Sequence, residues 1–198
     1  KENGMPAVAL TDHGVMYGDM ELYTTAKENG VKPILGCEFY VHDGDITERN
    51  KLHNPCYHLV LLAKDKTGYA NLLKLVSDAW CKGRYVNPRI NFEMLKEHKD
   101  GLICLSACLG GEVLQNLLKG DKQKAFEVAK QYQDLFGEDY YIELQDHGIP
   151  DQKTVNQGLL RLHQETGIEL VATNDVHYIY DSDAEAHDIL LCIQTGKK

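Results

Sequence analysis

The feature that most constrains the fold is the regular alternation of short apolar runs with amphipathic helical patterns along the chain. Leu72, Leu75 and Val76, for example, recur at helical spacing on one face of "GYANLLKLVSDAW". The apolar runs predict strands at 7–10, 34–41, 58–63, 101–107, 140–144 and 168–173, and the segments between them predict helices at 17–29, 68–80, 112–118, 125–136 and 155–162, with a last helix from 181 or 182. This alternation indicates an α/β domain with a largely parallel sheet, and six strands favour a barrel of the TIM type over an open sheet.

Composition narrows the class of protein further. At 198 residues, with 43% hydrophobic and 26% charged residues, the chain is typical of one soluble globular domain. We expect no membrane partner, since no apolar stretch approaches the roughly 18 residues that a spanning helix needs. The six cysteines form no CxxC pair, which predicts reduced thiols in the cytoplasm.

The formal net charge of −9 argues against a domain that grips nucleic acid over a broad surface. It leaves room for a small site where metal cations neutralise one phosphate. The chain opens on "KENGMP" and stops at "IQTGKK" without a closing signal. We therefore interpret residues 1–198 as a single domain and as a fragment of a longer protein.

Side chains able to bind a metal lie just beyond, or at the end of, several of the predicted strands. Function gathers at the C-terminal strand ends in barrels of this type, so these side chains are candidates for one shared site. They are Asp12, His13, Glu38, Cys108, Glu143, Asp146, His147, Asp175 and His177. Imidazole, carboxylate and one thiolate suit zinc, manganese or iron better than calcium or magnesium alone.

His58 does not fit this pattern, because it precedes its apolar run instead of following it. In a parallel strand it would lie at the opposite rim of the barrel. Either that strand runs against the others or local geometry brings His58 back, and both alternatives stay open at the level of sequence.

Each candidate also has a purely structural interpretation. An isolated histidine at a strand end is more often hydrogen-bonded than metal-bound, and Cys108 alone would be a small buried apolar residue. "TDHG" alone predicts a turn in which Asp12 bonds the backbone. Five further histidines on helices, in loops or at helix ends are interpreted as structural or solvated: His42, His53, His98, His163 and His187. The metal hypothesis depends on recurrence at strand ends.

Longer motifs resemble a known family. "PAVALTDHGVMYG", "KPILGCEFYV", "YHLVLLAKDKTGYANLLKL", "GLICLSACLGGE", "YYIELQDHG" and "VATNDVHYIYDSDAEAHDILLCIQTGK" together resemble the PHP (polymerase and histidinol phosphatase) domain of bacterial DNA polymerase III alpha subunits, over essentially the whole chain. "ELQDHG" with "EAHDILLCIQTGK" is typical of the replicative polymerases. No exonuclease domain is inserted after the Glu38 segment, which resembles the shorter, DnaE-type form.

The resemblance implies a distorted barrel of seven strands with a trinuclear metal centre. The family's ligands fall on His13, Glu38, His58, Cys108, Asp175 and His177, while Asp12, Glu143, Asp146 and His147 match residues that support the ligands. The family's first strand, with an HxH pair and a following acidic residue, is absent here. The resemblance therefore implies an incomplete (βα)7 barrel and fewer than three divalent metals, zinc or manganese.

The function implied by the resemblance is that of a domain of a DNA-directed DNA polymerase in DNA replication, with a metal-dependent 3′–5′ exonuclease centre in the parent protein. The alternative is a non-catalytic scaffold that stabilises the polymerase and docks a separate proofreading exonuclease subunit. A third possibility, a stand-alone small-molecule phosphatase, conflicts with the polymerase-type segments. The implied partners are DNA and other replicase subunits, in the bacterial cytoplasm.

Overall fold

The computed structural model describes residues 1–49 and 56–197, so His53 and part of the polar loop predicted over 43–54 lie outside the described residues. The strands are Ala7–Leu10 (β1), Lys32–His42 (β2), Cys56–Ala63 (β3), Arg89–Asn91 (β4), Leu102–Leu105 (β5), Tyr140–Leu144 (β6) and Glu169–Ala172 (β7). The helices are Asp19–Glu28 (α1), Lys66–Cys81 (α2), Phe92–His98 (α3), Glu112–Leu118 (α4), Lys122–Phe136 (α5), Pro150–Thr166 (α6) and Ala184–Thr195 (α7). Two 3₁₀ turns, Gly137–Asp139 and Asp181–Asp183, precede β6 and α7.

The seven strands form one curled sheet in the order β1-β2-β3-β5-β6-β7, with β4 paired to β2 off this path. Within the described part of the chain, β1 and β7 are the two ends of this order and do not pair with each other. The sheet is therefore an incomplete barrel with helices around it, and the expected α/β class is confirmed.

The sheet is largely parallel, as expected, and β3 is the exception. The pairs β1–β2, β2–β4, β5–β6 and β6–β7 are parallel, but β3 runs antiparallel to both β2 and β5. An antiparallel strand begins at the rim where its parallel neighbours end, so His58 comes to the same rim as the other candidates. Of the two alternatives that the sequence left open, the reversed strand is the correct one.

Apolar periodicity did not predict β4 and α3. β4 has only three residues and begins with Arg89, a charged residue that is 1% exposed. A strand this short with a buried arginine carries no apolar signal. Its role becomes visible in three dimensions, where Arg89 donates to the carbonyls of Gly83, Ile46 and Glu48 and so joins two separate segments of the chain to β4.

Most of the core lies between the outer face of the sheet and helices α2 to α6. Leu75 on α2 and Leu159 on α6 are fully buried there, and they pack in one cluster with Phe39, Leu61 and Ile142 of the sheet. A side-chain cap fixes the start of α2, where Asp65 accepts from the Gly68 amide at 3.0 Å. This packed outer layer holds β2, β3, β5 and β6 in place.

The inner face of the sheet and helix α7 are much less covered. Among the described residues, the buried members of the inner cluster are Val60, Leu105 and Ala107. Helix α7 has no buried residue, and Leu190 and Ile193 on it are 63% and 74% exposed. Among the described residues, no helix is both long and apolar enough to cross a membrane.

Candidate metal centre

Backbone pairing with the middle of β2 holds the first two candidate ligands together. The amide of Glu38 donates to the Asp12 carbonyl at 3.0 Å, and the amide of Gly14 donates to the Glu38 carbonyl at 2.8 Å. His13 and Glu38 thereby form a parallel bridge, an extension of the β1–β2 pairing beyond the end of β1. The His13 Nε2 lies 3.5 Å from the Glu38 Oε1.

A second backbone bridge brings His58 and Cys108 to the same place. The His58 amide donates to the Gly110 carbonyl at 3.0 Å, so that the loop after β5 runs beside the start of β3. The Cys108 Sγ then lies 3.5 Å from the His58 Nδ1, and the same Nδ1 contacts the Glu38 Oε1. This loop passes through Ala107 at a φ of 65°, a left-handed conformation that is unusual for a residue other than glycine.

The titratable side chains of this cluster interact strongly with one another, and the interactions shift the pKa values of His58 and Glu38. A hydrogen bond with Cys108, and then one with Glu38, raise the pKa of His58 to about 10. Burial opposes ionisation of Glu38, but the His58 hydrogen bond and the charges of His13, His58 and His177 together lower the pKa of this carboxyl. In the absence of a cation, the proton that His58 retains through its raised pKa balances the buried carboxylate of Glu38.

The donors of this cluster fit a transition metal. One ligand atom each from His13, Glu38 and His58 can be chosen so that all three lie within 4.8 Å of one another. Two imidazole nitrogens, Nε2 of His13 and Nδ1 of His58, face the same buried oxygen, Oε1 of Glu38. Two imidazoles and a carboxylate, with a thiol beside them, suit Zn²⁺ or Mn²⁺ better than Ca²⁺.

Asp175 and His177 face this cluster from the other side of a cleft of about 470 Å³, which is also lined by His13, Glu38 and Cys108. The ring centroids of His13 and His177 are 5.5 Å apart. Asp175 adopts a φ of 47° in the loop after β7, and its carbonyl lies 2.8 Å from the His177 Nδ1. Five of the six predicted ligands therefore line one cleft, and the sixth, His58, contacts Glu38 and Cys108 beside it. The first group contains His13, Glu38, His58 and Cys108, and the second contains Asp175 and His177.

Two of the predicted supporting residues lie against the second group. Glu143 lies in the cleft wall, where its Oε1 accepts from the Thr173 hydroxyl at 2.8 Å, and burial raises its pKa to about 7. His147 lies behind the wall, with its Nε2 2.7 Å from the Asn174 carbonyl and its Nδ1 2.8 Å from the Gln152 side-chain amide. His147 thus positions the backbone immediately before Asp175.

The other two predicted supporting residues differ in their placement. Asp12 lines the cleft next to His13. Asp146 is exposed and accepts from the Gly148 amide at 3.0 Å in a turn, and it does not line the cleft. Asp19, near Asp12, was not among the predicted site residues: burial, followed by the charge of Asp12, raises the pKa of this carboxyl to about 6. An acidic residue at the start of an amphipathic helix gives no sequence signal of burial.

Other contributors were missed because they act only through contacts that are distant in sequence. Gln152, at the start of α6, accepts from the His147 amide at 2.8 Å and so anchors the turn. The ring of His187, interpreted above as structural or solvated, lies 5.9 Å from that of His177. Trp80 donates to the Gly14 carbonyl at 2.8 Å and braces the loop that carries His13.

The class of protein follows from two features: a curled α/β sheet, and His, Glu, Asp and Cys side chains clustered at one rim of it. The family model that describes the PHP domain matches residues 1–147, and the chain belongs to that family. Over its full length it is 46% identical to the DNA polymerase III subunit alpha of Treponema pallidum. It is 47% identical over 98% of its length to that of Deinococcus radiodurans, and 46% identical over 96% to that of Thermus aquaticus. The chain spans 17%, 15% and 16% of the lengths of these relatives.

Proposed function

We propose that this chain is the PHP domain of a bacterial replicative DNA polymerase and that its cleft hydrolyses the terminal phosphodiester at the 3′ end of a DNA strand. The observation that carries the proposal is the convergence of His13, Glu38 and His58 within 4.8 Å, with Asp175 and His177 across the same cleft. The relatives named above support the assignment to a DNA polymerase. Other replicase subunits would be its partners, in the bacterial cytoplasm.

Zinc or manganese is the proposed metal, and His13, Glu38, His58, Cys108, Asp175 and His177 would hold it. Bound metals of this kind clamp a phosphate and supply a nucleophilic water near neutral pH. The protein backbone holds these ligands in place: one bridge holds His13 against Glu38, and another holds His58 against the Cys108 loop. His147 and Gln152 hold the segment before Asp175.

Substitution of Asp175 tests this function. The Asp175→Asn variant keeps the size of the side chain but lacks the anionic ligand, so the protein should lose degradation of single-stranded DNA. DNA synthesis by the polymerase that carries this domain should be unchanged, because the cleft is a separate site. If both activities fall together, the variant has a folding defect and the claim for this cleft fails.

A scaffold that docks a separate proofreading exonuclease subunit is the second candidate. The observation that favours it is the apolar, solvent-exposed face of α7, where Ile189, Leu190 and Ile193 are at least half exposed. Metals would then stabilise the fold, because metal binding and folding are coupled. Capture of that exonuclease subunit by this domain, with no nuclease activity in the purified polymerase chain, would favour the scaffold over the hydrolytic function.

A further inference from the structure

We propose that the loop 82–88 binds the DNA strand that enters the metal cleft, and that Arg84 contacts a phosphate upstream of the bond that is cleaved. The inference depends on the proposed hydrolytic function, since it assigns the part of the substrate that the metal ligands do not reach. It concerns residues outside the candidate metal centre.

The loop is attached to the His13 segment by two contacts at Gly14. Trp80, just before the loop, donates its indole N–H to the Gly14 carbonyl at 2.8 Å. Pro88, the last residue of the loop, packs so closely on Gly14 that a Cβ there would lie 2.7 Å from its ring. Tyr40 continues this surface to the metal centre, because its ring meets that of His58 edge-on at 5.3 Å. The loop therefore packs against the segment that carries His13, one of the residues that line the cleft.

Two arginines and a tight turn fix the shape of this loop. The buried Arg89 donates to the Gly83 carbonyl at 2.9 Å, and its guanidinium lies 5.4 Å from the centroid of the Tyr85 ring. Arg49 donates to the Arg84 carbonyl at 2.9 Å. Tyr85 and Asn87 exchange backbone hydrogen bonds of 3.1 and 2.8 Å across the turn. A loop fixed in this way can present a side chain to a ligand at little entropic cost.

The backbone conformation of Val86 gives an independent indication of function. In the described parts of the chain, three residues other than glycine have a positive φ: Val86, Ala107 and Asp175. Ala107 precedes the candidate ligand Cys108, and Asp175 is itself a candidate ligand. Val86, at 63°, is β-branched and 80% exposed, so neither its side chain nor burial favours this conformation. Strain of this kind clusters at functional sites.

Charge is the reason for assigning phosphate to this loop. The cleft is lined by Asp12, Glu38, Glu143 and Asp175, and metals there can neutralise only the phosphate that they touch. Arg84 makes no ion pair within the described residues, and its guanidinium lies over the Trp80 ring, 5.0 Å from the centroid. A guanidinium stacked on an aromatic ring keeps its N–H groups free to bind a phosphate in bidentate fashion.

The test compares two substrates that differ only beyond the cleaved bond. One is a single-stranded oligothymidylate of 12 nucleotides; the other is the p-nitrophenyl ester of thymidine 5′-monophosphate, which has no upstream phosphate. The Arg84→Ala variant should raise KM for the oligonucleotide about tenfold with little change in kcat. The slope of log KM against log salt should fall by about 0.7, as expected for one lost contact with a single strand.

Three controls make the result specific. Hydrolysis of the ester should be unchanged in Arg84→Ala, and Arg84→Lys should keep the wild-type salt slope because the charge is retained. Arg161→Ala, which removes an exposed arginine from α6, should change neither substrate. Equal losses on both substrates, or no loss on the oligonucleotide, would overturn the inference.

Failure of the proposed function gives a different pattern from failure of this inference. If the wild-type protein hydrolyses neither substrate, the proposed hydrolytic function is wrong. The affinity of the manganese-loaded 198-residue chain for the same oligonucleotide then decides the role of the loop. A tenfold weaker affinity in Arg84→Ala than in Arg161→Ala supports the phosphate contact, and equal affinities refute it.

Discussion

The two sides of the metal cleft are built differently. On one side, Glu38 and His58 lie on β2 and β3, whose outer faces pack against helices in the main core, and a backbone bridge joins His13 to Glu38. On the other side, Asp175 and His177 lie in a loop between β7, an edge strand, and α7, a helix without a buried residue. The first side is fixed by backbone bridges and a large core. The second side depends on a few polar contacts. Its structure should therefore change more easily when a metal or a substrate binds.

The largest expected difference between the two sides is in their contribution to stability. Leu75→Ala removes a fully buried side chain from the covered side, and we expect it to lower the free energy of unfolding by about 2–5 kcal/mol. The matched variant Leu190→Ala truncates the same type of residue on exposed α7 and should cost less than about 0.5 kcal/mol. Urea denaturation of the two variants of the 198-residue chain measures the contrast. Equal losses would mean that α7 is part of the core.

Metal affinity should follow the same asymmetry. Glu38→Gln removes the buried carboxylate that contacts both His13 and His58, and we expect the affinity for Zn²⁺ to fall by more than about 100-fold. Asp175→Asn removes a carboxylate from the less constrained side and should cost less affinity, although it abolishes the proposed activity. Competition with a chromophoric chelator gives both constants. A larger loss in Asp175→Asn than in Glu38→Gln would reverse the assignment of the two sides.

Affinity should also depend on pH through His58, whose pKa in the metal-free chain is about 10. A metal must displace this proton, so apparent affinity should rise by at least about tenfold per pH unit between roughly pH 6 and 8. His58→Gln should reduce that slope by one. In the metal-free chain the raised pKa stabilises the fold fully below the ordinary value of 6.5, and this contribution is lost as pH rises through about 10. An affinity independent of pH would show that His58 is not a ligand.

The smallest of these effects is expected behind the less constrained side. His147→Ala removes the side chain that lies 2.7 Å from the Asn174 carbonyl, while Asp175 itself is untouched. Partners of this kind contribute about 10–100-fold to affinity or activity, and we expect the lower end of that range. His163→Ala is the matched control, because His163 makes a similar backbone contact at 2.7 Å with Ile168, away from the cleft. Equal metal affinities in the two variants would show that His147 does not support the metal ligands.

Sequence patterns predicted the regular part of this molecule and missed what depends on distant contacts. Apolar periodicity predicts six strands and the helices between them. The C-terminal ends of the predicted strands indicate the rim where most of the candidate ligands lie. The direction of β3 does not follow, because a buried strand has the same apolar pattern in either direction; the position of His58 was the only hint. Arg89, Asp19 and Gln152 escaped notice for a related reason: a buried polar residue is identified by its partners, and those partners are far away in the sequence.

The most direct test of the central claim is an anomalous X-ray diffraction measurement on crystals of the protein grown with Mn²⁺ or Zn²⁺. We expect an anomalous peak about 2.0–2.2 Å from ligand atoms of His13, Glu38 and His58. In Glu38→Gln crystals grown in the same way, that peak should be lost. Strong metal peaks elsewhere, with no peak among these three side chains in the wild-type protein, would contradict the account.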